Sequence, residues 1–300
     1  MSVTRRQLFA GLAAGAGAAA QFRPGNGPKA RTTPAICLYS QVLIKVPYDE
    51  LGQVMRGLGV DGCDLTVMPG GHVAPEQSAV DLMRAIEAVT GVGLDVPVIT
   101  TAYTSFGDPT IRNVAAIAGE MGVPIFRAGQ WKYPAAGEVE ARLPEVQRDI
   151  QGLAALARAV NMAVVIQNVA GENVGSAVWD TNMLIRGMDA RTVGYDFDIG
   201  NAVQEGGVGG WSLALRLALP RIKMVTARDF VWSKEGGTWK PAPCPLGEGM
   251  VDWPKLFSAL AKTRFVGPVS LTVDYHPKDE LAAIRHDVEF IRKHVAAAYG

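Results

Sequence analysis

Eight short runs of mainly apolar residues alternate with longer segments of helical periodicity between Pro34 and the C-terminus. The runs cover residues 35–40, 62–67, 97–103, 124–128, 163–169, 192–198, 222–228 and 268–274. Each run is nearly continuous in apolar residues, which is typical of strands that are buried on both faces of a sheet. The alternation of strands and helices predicts an α/β fold with a parallel sheet.

The helical segments cover residues 48–58, 77–91, 109–122, 137–160, 175–188, 210–218, 252–262 and 278–298. Gly59, Gly91 and Gly122 lie at or just after the ends of the first three, where glycine commonly ends a helix. No GxGxxG pattern follows the first strand, which argues against a dinucleotide-binding sheet. Eight strand–helix units in residues 34–300 therefore predict a single (β/α)8 TIM barrel.

The first 20 residues differ in composition from the rest of the chain. They contain the Arg5–Arg6 pair, an Ala/Gly-rich apolar stretch and a small-residue cleavage site at Ala18–Ala20. The Thr4–Phe9 segment resembles the twin-arginine export signal. The apolar stretch is too short for a stable membrane anchor. Residues 1–20 are therefore predicted to be a signal peptide, followed by a linker at residues 21–33. The export machinery is expected to deliver the protein to the periplasm or beyond.

The charge balance argues against a polyanionic partner. Lysine plus arginine and aspartate plus glutamate number 29 each. A nucleic-acid-binding groove would need an excess of basic residues, so no nucleic acid is expected as a partner.

Candidate functional residues are selected by one rule of barrel architecture. Active sites lie at the C-terminal ends of the strands and in the loops that follow them. The polar residues at those positions are His72, Thr101, Arg127, Gln167, Asn168, Asp196, Asp198, Asn201, Thr226, Arg228, Asp229, Glu248, Asp274 and His276.

Two of these carboxylates are expected to point into the barrel together. Asp196 and Asp198 are two residues apart, so the strand period of two places them on the same face. The alternative is that one of them forms a structural ion pair with Arg228 or Lys223 from the next strand.

Four segments of the C-terminal half resemble the xylose isomerase-like TIM barrels, the superfamily of sugar phosphate isomerases and epimerases and type-2 AP endonucleases. They are TVGYDFDIGN (192–201), IKMVTARDFVW (222–232), PLGEGMVDWPKLF (245–257) and PVSLTVDYHP (268–277). The resemblance implies a sugar-converting enzyme that holds Mn²⁺, Mg²⁺ or Zn²⁺. The family ligands are a Glu, an Asp, a His and a Glu on strands five to eight.

This chain departs from that ligand set at most positions. The strand-five Glu-Asn pair appears as Gln167-Asn168, and the strand-seven His-x-Lys-Asp appears as Thr226-Ala227-Arg228-Asp229. The strand-six Asp-x-Gly-His keeps Asp198 but ends in Asn201.

Two residues are candidates for the position of the strand-eight Glu. The Glu falls on Thr272, or on Asp274 if the register shifts by two residues, which keeps the same strand face. The Gly-Glu-Gly motif is intact around Glu248. Asp198 and Asp274 are thus the candidate metal ligands. Neutral oxygens at the other positions are weak ligands for hard cations.

The resemblance implies proton transfer next to the carbonyl of a sugar, a keto-sugar or a related polyol. The predicted catalytic residues are Asp198, Asp274 and Glu248. The predicted substrate-binding residues are Gln167, Asn168, Asn201, Thr226, Arg228, Arg127 and His72. Because an amide at Gln167 cannot act as a base, the alternative is a barrel that binds a small carbohydrate without converting it.

Replacement of Arg5 and Arg6 together by lysine should leave the precursor in the cytoplasm, because the export signal depends on the arginine pair. Cell fractionation followed by immunoblotting measures this. Arg23→Lys, which changes an arginine outside the motif, should be exported normally. Undiminished export of the double variant would contradict the predicted signal.

Overall fold

The computed structural model describes residues 31–135, 137 and 139–300. The predicted signal peptide (1–20) and most of the predicted linker (21–33) lie outside these residues. The strands are β1 Ile36–Tyr39, β2 Gly62–Val67, β3 Asp95–Thr101, β4 Ile125–Arg127, β5 Ala163–Gln167, β6 Val193–Asp198, β7 Ile222–Ala227, β8 Asp229–Glu235, β9 Thr238–Cys244 and β10 Val269–Leu271.

Eight of these strands close into a parallel barrel in the order β1-β10-β7-β6-β5-β4-β3-β2. The helices are α1 Tyr48–Gly57, α2 Ser78–Thr90, α3 Ile111–Glu120, α4 Val139–Ala159, α5 Trp179–Ile185, α6 Ile199–Ala218, α7 Trp253–Lys262 and α8 Glu280–Tyr299. The predicted (β/α)8 barrel is confirmed. No helix in the described part of the chain is long and apolar enough to cross a lipid bilayer.

Hydrogen bonds that skip a strand identify the side chains that point into the barrel. Ser270 on β10 donates to Asp64 on β2 at 2.8 Å, across the intervening β1. Arg127 on β4 donates to Asp196 on β6 at 3.2 Å, across β5. Side chains on non-adjacent strands can meet in this way only through the interior. The middle of the barrel is therefore filled by polar side chains.

Apolar packing occupies two other layers. A small interior cluster consists of Val98, Ile125, Val165 and Met224. Three of its members lie two residues before Thr100, Arg127 and Gln167 on their strands, so the cluster fills the N-terminal end of the barrel. The main core contains the alternate strand residues, which pack outward against the surrounding helices.

Helix α6 begins earlier than the sequence pattern predicts. The expected segment 210–218 is the second half of a helix that starts at Ile199, directly after β6. Gly207 has φ 56° and interrupts the helical backbone, which a glycine tolerates without steric cost. The glycine-rich sequence GGVGG around it conceals the first half of the helix from a pattern based on propensity.

A two-stranded antiparallel ribbon follows β7 and was not predicted. Strands β8 and β9 pair in register from Asp229↔Cys244 to Glu235↔Thr238. Gly236 and Gly237 form the two-residue turn, and both have positive φ, as such hairpin turns require. The Gly-Gly pair was the available sequence signal. The prediction instead ended the seventh strand at residue 228 and placed no strand between it and the helical segment 252–262.

Candidate active site at the barrel mouth

Asp198 lies at the end of β6 and is enclosed on all sides. One carboxylate oxygen accepts a hydrogen bond from the backbone N of Asn201 at 2.9 Å and so caps α6. The other accepts from Nε2 of Gln167 at 3.3 Å and lies 2.9 Å from Nε of Arg228. The side chain is 0% exposed. Burial raises the pKa of Asp198 to about 6, although the charge of Arg228 and the bond from Asn201 oppose the rise.

Arg228 lies between two carboxylates. Its Nε is close to Asp198, but the N–H does not point at the oxygen, so this contact is an ion pair without an aligned hydrogen bond. Its Nη1 donates to Oδ2 of Asp274 at 3.3 Å, in the loop after β10. Burial raises the pKa of Asp274, and the charge of Arg228 opposes this rise. The guanidinium therefore occupies the space between the two predicted metal ligands.

Gly200 makes room for the stem of Arg228. A Cβ atom at this position would lie 2.6 Å from Cγ of Arg228, which is closer than side chains pack. The glycine belongs to the Asp198–Asn201 motif and is the second residue of α6. The backbone of α6 and the arginine stem are thus in direct contact.

Two asparagines tie the strand ends together. Asn168 donates to the carbonyl oxygen of Asp198 at 2.8 Å and accepts from its backbone N at 2.8 Å. Asn201 donates to the carbonyl oxygen of Asn168 at 2.9 Å. Asn168 is 1% exposed and Asn201 is 7% exposed. Both were predicted to bind substrate. The structure uses their amides to hold β5, β6 and α6 in register.

A second charged layer lies below Arg228. Arg127 pairs with Asp196 at 3.2 Å, and Thr226 donates to the same carboxylate at 2.8 Å. The guanidinium of Arg127 also lies 5.0 Å from the ring centroid of Tyr39. Burial raises the pKa of Asp196, which Arg127 and Thr226 oppose. The alternative that one of the two strand-six carboxylates pairs with Arg228 or Lys223 is found at Asp198, which pairs with Arg228, whereas Asp196 pairs with Arg127.

Thr226 connects the two layers. Its hydroxyl donates to Asp196 and accepts from Nε2 of Gln167 at 3.2 Å, and the same Nε2 faces Asp198. Thr226 is fully buried and Gln167 is 6% exposed. These two predicted substrate-binding residues therefore link the Arg127–Asp196 pair to the Arg228–Asp198 pair through hydrogen bonds.

Asp64 is an interior residue that sequence reasoning missed. It accepts hydrogen bonds from Thr100 and, at 2.8 Å, from Ser270, and it is 0% exposed. It lies in the middle of β2, whereas the rule for barrel sites selects strand ends. The signal that could have found it is an acidic residue within the buried run GCDLTV.

His72 binds to the loops above β1 and β2. Its Nε2 lies 3.2 Å from the carbonyl oxygen of Leu43, which can only accept, so Nε2 carries the proton. Its Nδ1 lies 3.3 Å from the hydroxyl of Thr66, which can donate to it. Burial lowers the pKa of His72, which favours this neutral form. The ring fixes the segment after β1.

Glu248 is exposed, and its loop closes over the buried Asp229, which is the first residue of β8. Asp229 accepts hydrogen bonds from the backbone N of Gly247 at 3.0 Å and from Nε1 of Trp253 at 2.9 Å. A Cβ atom at Gly249 would overlap the Asp229 carboxylate. The Gly-Glu-Gly sequence thus lets the loop close onto Asp229. His276 is also exposed.

The donor set at the mouth does not fit a divalent cation. Within the described ranges, no group of three or more His, Cys, Asp or Glu side chains could hold a metal ion. Asp198 and Asp274 are joined by a guanidinium, and Gln167 directs its NH₂ group at the nearer carboxylate. Three or more convergent oxygens, which Mg²⁺ and Mn²⁺ prefer, are not assembled here.

Comparison with known proteins gives a consistent family relationship. The family model for the xylose isomerase-like TIM barrel matches residues 53–294. A xylose isomerase-like TIM barrel protein from Mycobacterium smegmatis, solved with magnesium, has 17% identity and a TM-score of 0.67; the match covers 90% of this chain and 98% of that one. No curated protein sequence matches the chain.

Two sugar epimerases have similar structures. For 3-keto-D-glucoside 4-epimerase from E. coli, the TM-score is 0.68 at 14% identity, covering 87% of this chain and 99% of that one. For D-allulose 3-epimerase from Methylomonas sp., the TM-score is 0.67 at 13% identity, covering 87% and 98%. At these identities the likeness is one of fold.

The raised pKa of Asp198 predicts that stability falls as pH rises. The folded carboxyl has a pKa of about 6, against an ordinary value of 3.8, so the folded state binds more protons between these values. The contribution of Asp198 is therefore fully present below about pH 4 and lost as pH rises through about 6, a change of roughly 3 kcal/mol. Asp196 and Asp274 act in the same direction.

Asp198→Asn should flatten this decline, which denaturant unfolding at a series of pH values would measure. Asp189→Asn is the matched control, because the partly exposed Asp189 has its pKa lowered to about 2 by Arg191. That control should leave the decline between about pH 4 and 6 in place. An unchanged decline in Asp198→Asn would contradict the account.

Proposed function

Because the chain belongs to the xylose isomerase-like TIM barrel family, we propose that it moves a proton next to the carbonyl of a sugar, a keto-sugar or a related polyol. One observation carries the proposal. Arg228 and Asp274 form an ion pair at the mouth with side chains 29% and 33% exposed, whereas Asp198, which lies against Arg228, is 0% exposed. A ligand at the mouth therefore meets one carboxylate and one guanidinium. Structural neighbours named as sugar epimerases support the same class of substrate.

Asp274 is the proton acceptor in this proposal. Its carboxylate takes the proton from the carbon next to the carbonyl, and the C–H electron pair moves to form an enolate. For isomerisation, the remaining hydroxyl proton of the enediolate moves to the former carbonyl oxygen, and Asp274 returns its proton to the carbon that bears this oxygen. For epimerisation, a second donor must deliver a proton to the original carbon from the opposite face. Burial raises the pKa of Asp274, which brings its basicity closer to neutral pH and suits a general base.

Arg228 stabilises the negative charge that develops on the carbonyl oxygen. A guanidinium donates strong charge-assisted hydrogen bonds, and a fixed donor costs no reorganisation during the reaction. Asp198 and Gln167 are positioning residues: the first holds Arg228 at 2.9 Å, and the second holds Asp198 at 3.3 Å.

The second candidate function is binding without turnover. Gln167 supports it, because an amide stands where the family resemblance implies a glutamate. An amide cannot exchange a proton with the second face of the sugar. Epimerisation needs a proton donor on the face opposite the base, and the exposed Glu248 is the remaining predicted candidate. Without such a donor, a keto-sugar would bind at the Arg228–Asp274 pair and leave unchanged.

We also propose that the mature protein works outside the cytoplasm after twin-arginine export, with no stable membrane anchor. The Arg5–Arg6 pair and the small-residue stretch that follows it support this proposal. Fractionation of the double lysine variant is its test.

Asp274→Asn should abolish proton exchange while leaving ligand affinity within a few-fold of the wild-type value. The exchange is measured by NMR in D₂O, with ketohexoses, pentuloses and 3-keto-glucosides as probes. Loss of a positioned general base lowers the rate by about 10²–10⁴-fold. Glu235→Gln is the control, because Glu235 is an exposed acid on the β8–β9 ribbon.

Three outcomes separate the candidates. Exchange that survives in Asp274→Asn would remove Asp274 from the chemistry. Saturable binding with no exchange in the wild-type protein would select the binding function. Neither binding nor exchange with any probe would reject a keto-sugar site at the mouth.

A further inference from the structure

We propose that Arg228 is a permanent replacement for a divalent cation, because its guanidinium occupies the position between Asp198 and Asp274 that a metal ion would need. The inference does not rest on the proposed function, because it concerns what the two carboxylates can bind. The family relationship raises the question of whether the barrel mouth holds a metal ion, since one structural neighbour was solved with magnesium. The contacts of Arg228 in this chain argue against a metal ion there.

The backbone places Arg228 at this position. Arg228 is two residues after Thr226, so the strand period directs both side chains to the same side. Thr226 points into the barrel, where its hydroxyl contacts Asp196. Gly200 leaves space for the arginine stem, because a Cβ there would lie 2.6 Å from its Cγ. The side chain thus crosses the start of α6 to reach the mouth.

The two carboxylates hold the guanidinium from different elements. Asp198 ends β6 and lies 2.9 Å from Nε, and Asp274 follows β10 and lies 3.3 Å from Nη1. A metal ion ligated by both residues would sit in this same gap. Arginine remains protonated at every physiological pH, so proton loss cannot vacate the gap. A divalent cation would have to displace the guanidinium and would be repelled by it from close range.

Removal of Arg228 should therefore uncover a metal site. Arg228→Ala leaves two carboxylates facing an open gap without a cation between them. Asp198, which is 0% exposed, would then lose the cation that compensates its carboxylate. Uptake of Mn²⁺ restores the compensation. Arg228→Lys keeps a positive charge at the position and should not take up the metal.

The experiment titrates MnCl₂ into chelator-treated mature protein and measures free Mn²⁺ by EPR and bound Mn²⁺ by calorimetry. The wild-type protein and Arg228→Lys should bind no stoichiometric Mn²⁺ up to about 1 mM, the weak end of protein sites for divalent cations. Arg228→Ala should gain at least a tenfold higher affinity, and Asp274→Asn added to it should remove the gain. Arg191→Ala, which breaks the exposed Arg191–Asp189 pair, is the matched control and should gain nothing.

Stoichiometric Mn²⁺ binding by the wild-type protein would overturn the proposal. The proposal would also fail if folded Arg228→Ala bound no Mn²⁺. It would fail as well if the double variant Arg228→Ala with Asp274→Asn kept the higher Mn²⁺ affinity. Arg228→Gln, which fills more of the space without charge, replaces Arg228→Ala if the alanine variant does not fold. If neither folds, the wild-type titration decides alone, with absence of binding as support. Turnover is not measured, so failure here leaves the proton-transfer proposal to its own test.

Discussion

Ion pairing inside the barrel is the constraint on which the rest of the site depends. Arg127 pairs with Asp196 in the lower layer, and Arg228 pairs with Asp198 and Asp274 in the upper layer. A buried charge without a partner costs several kcal/mol, on the order of 3–5 when one member of a pair is removed. The two arginines are therefore needed for the barrel to enclose Asp196 and Asp198. They also determine what else the mouth can bind.

The two layers are mechanically connected. Thr226 contacts the lower acid, Gln167 contacts both Thr226 and the upper acid, and the upper acid caps α6. A change in the lower pair would therefore move the carboxylate that holds Arg228. A network that solvent does not reach positions the partly exposed Arg228–Asp274 pair at the mouth. Charges that are fixed in place before a reaction need no reorganisation during it.

The fold could be predicted from the alternation of runs because each strand and helix is a local pattern. Asp198 and Asp274 could be placed at the mouth because strand ends converge in a barrel. The Asp198–Arg228 pair was among the alternatives left open by the sequence, but the partner of Arg127 could not be predicted. It depends on contacts that skip a strand, such as Arg127 to Asp196, and these follow from barrel closure and stagger.

Two features that the sequence analysis did not predict, the buried Asp64 and the first half of α6, also have physical explanations. Asp64 is paired by hydroxyls from β3 and β10, which lie far from it in sequence. The first half of α6 is stabilised by the cap from Asp198, although its glycines have poor helix propensity. At Asp64 the contacts come from distant strands, and at α6 the cap comes from a residue three positions away; each outweighs the preference that a sequence pattern reports.

In this protein a guanidinium stands where a divalent cation would have to bind. The decisive measurement uses crystals of the wild-type protein grown with MnCl₂, with data collected at a wavelength where manganese scatters anomalously. We expect guanidinium density between Asp198 and Asp274 and no anomalous peak there. An anomalous peak ligated by both carboxylates, with Arg228 turned away from them, would contradict it.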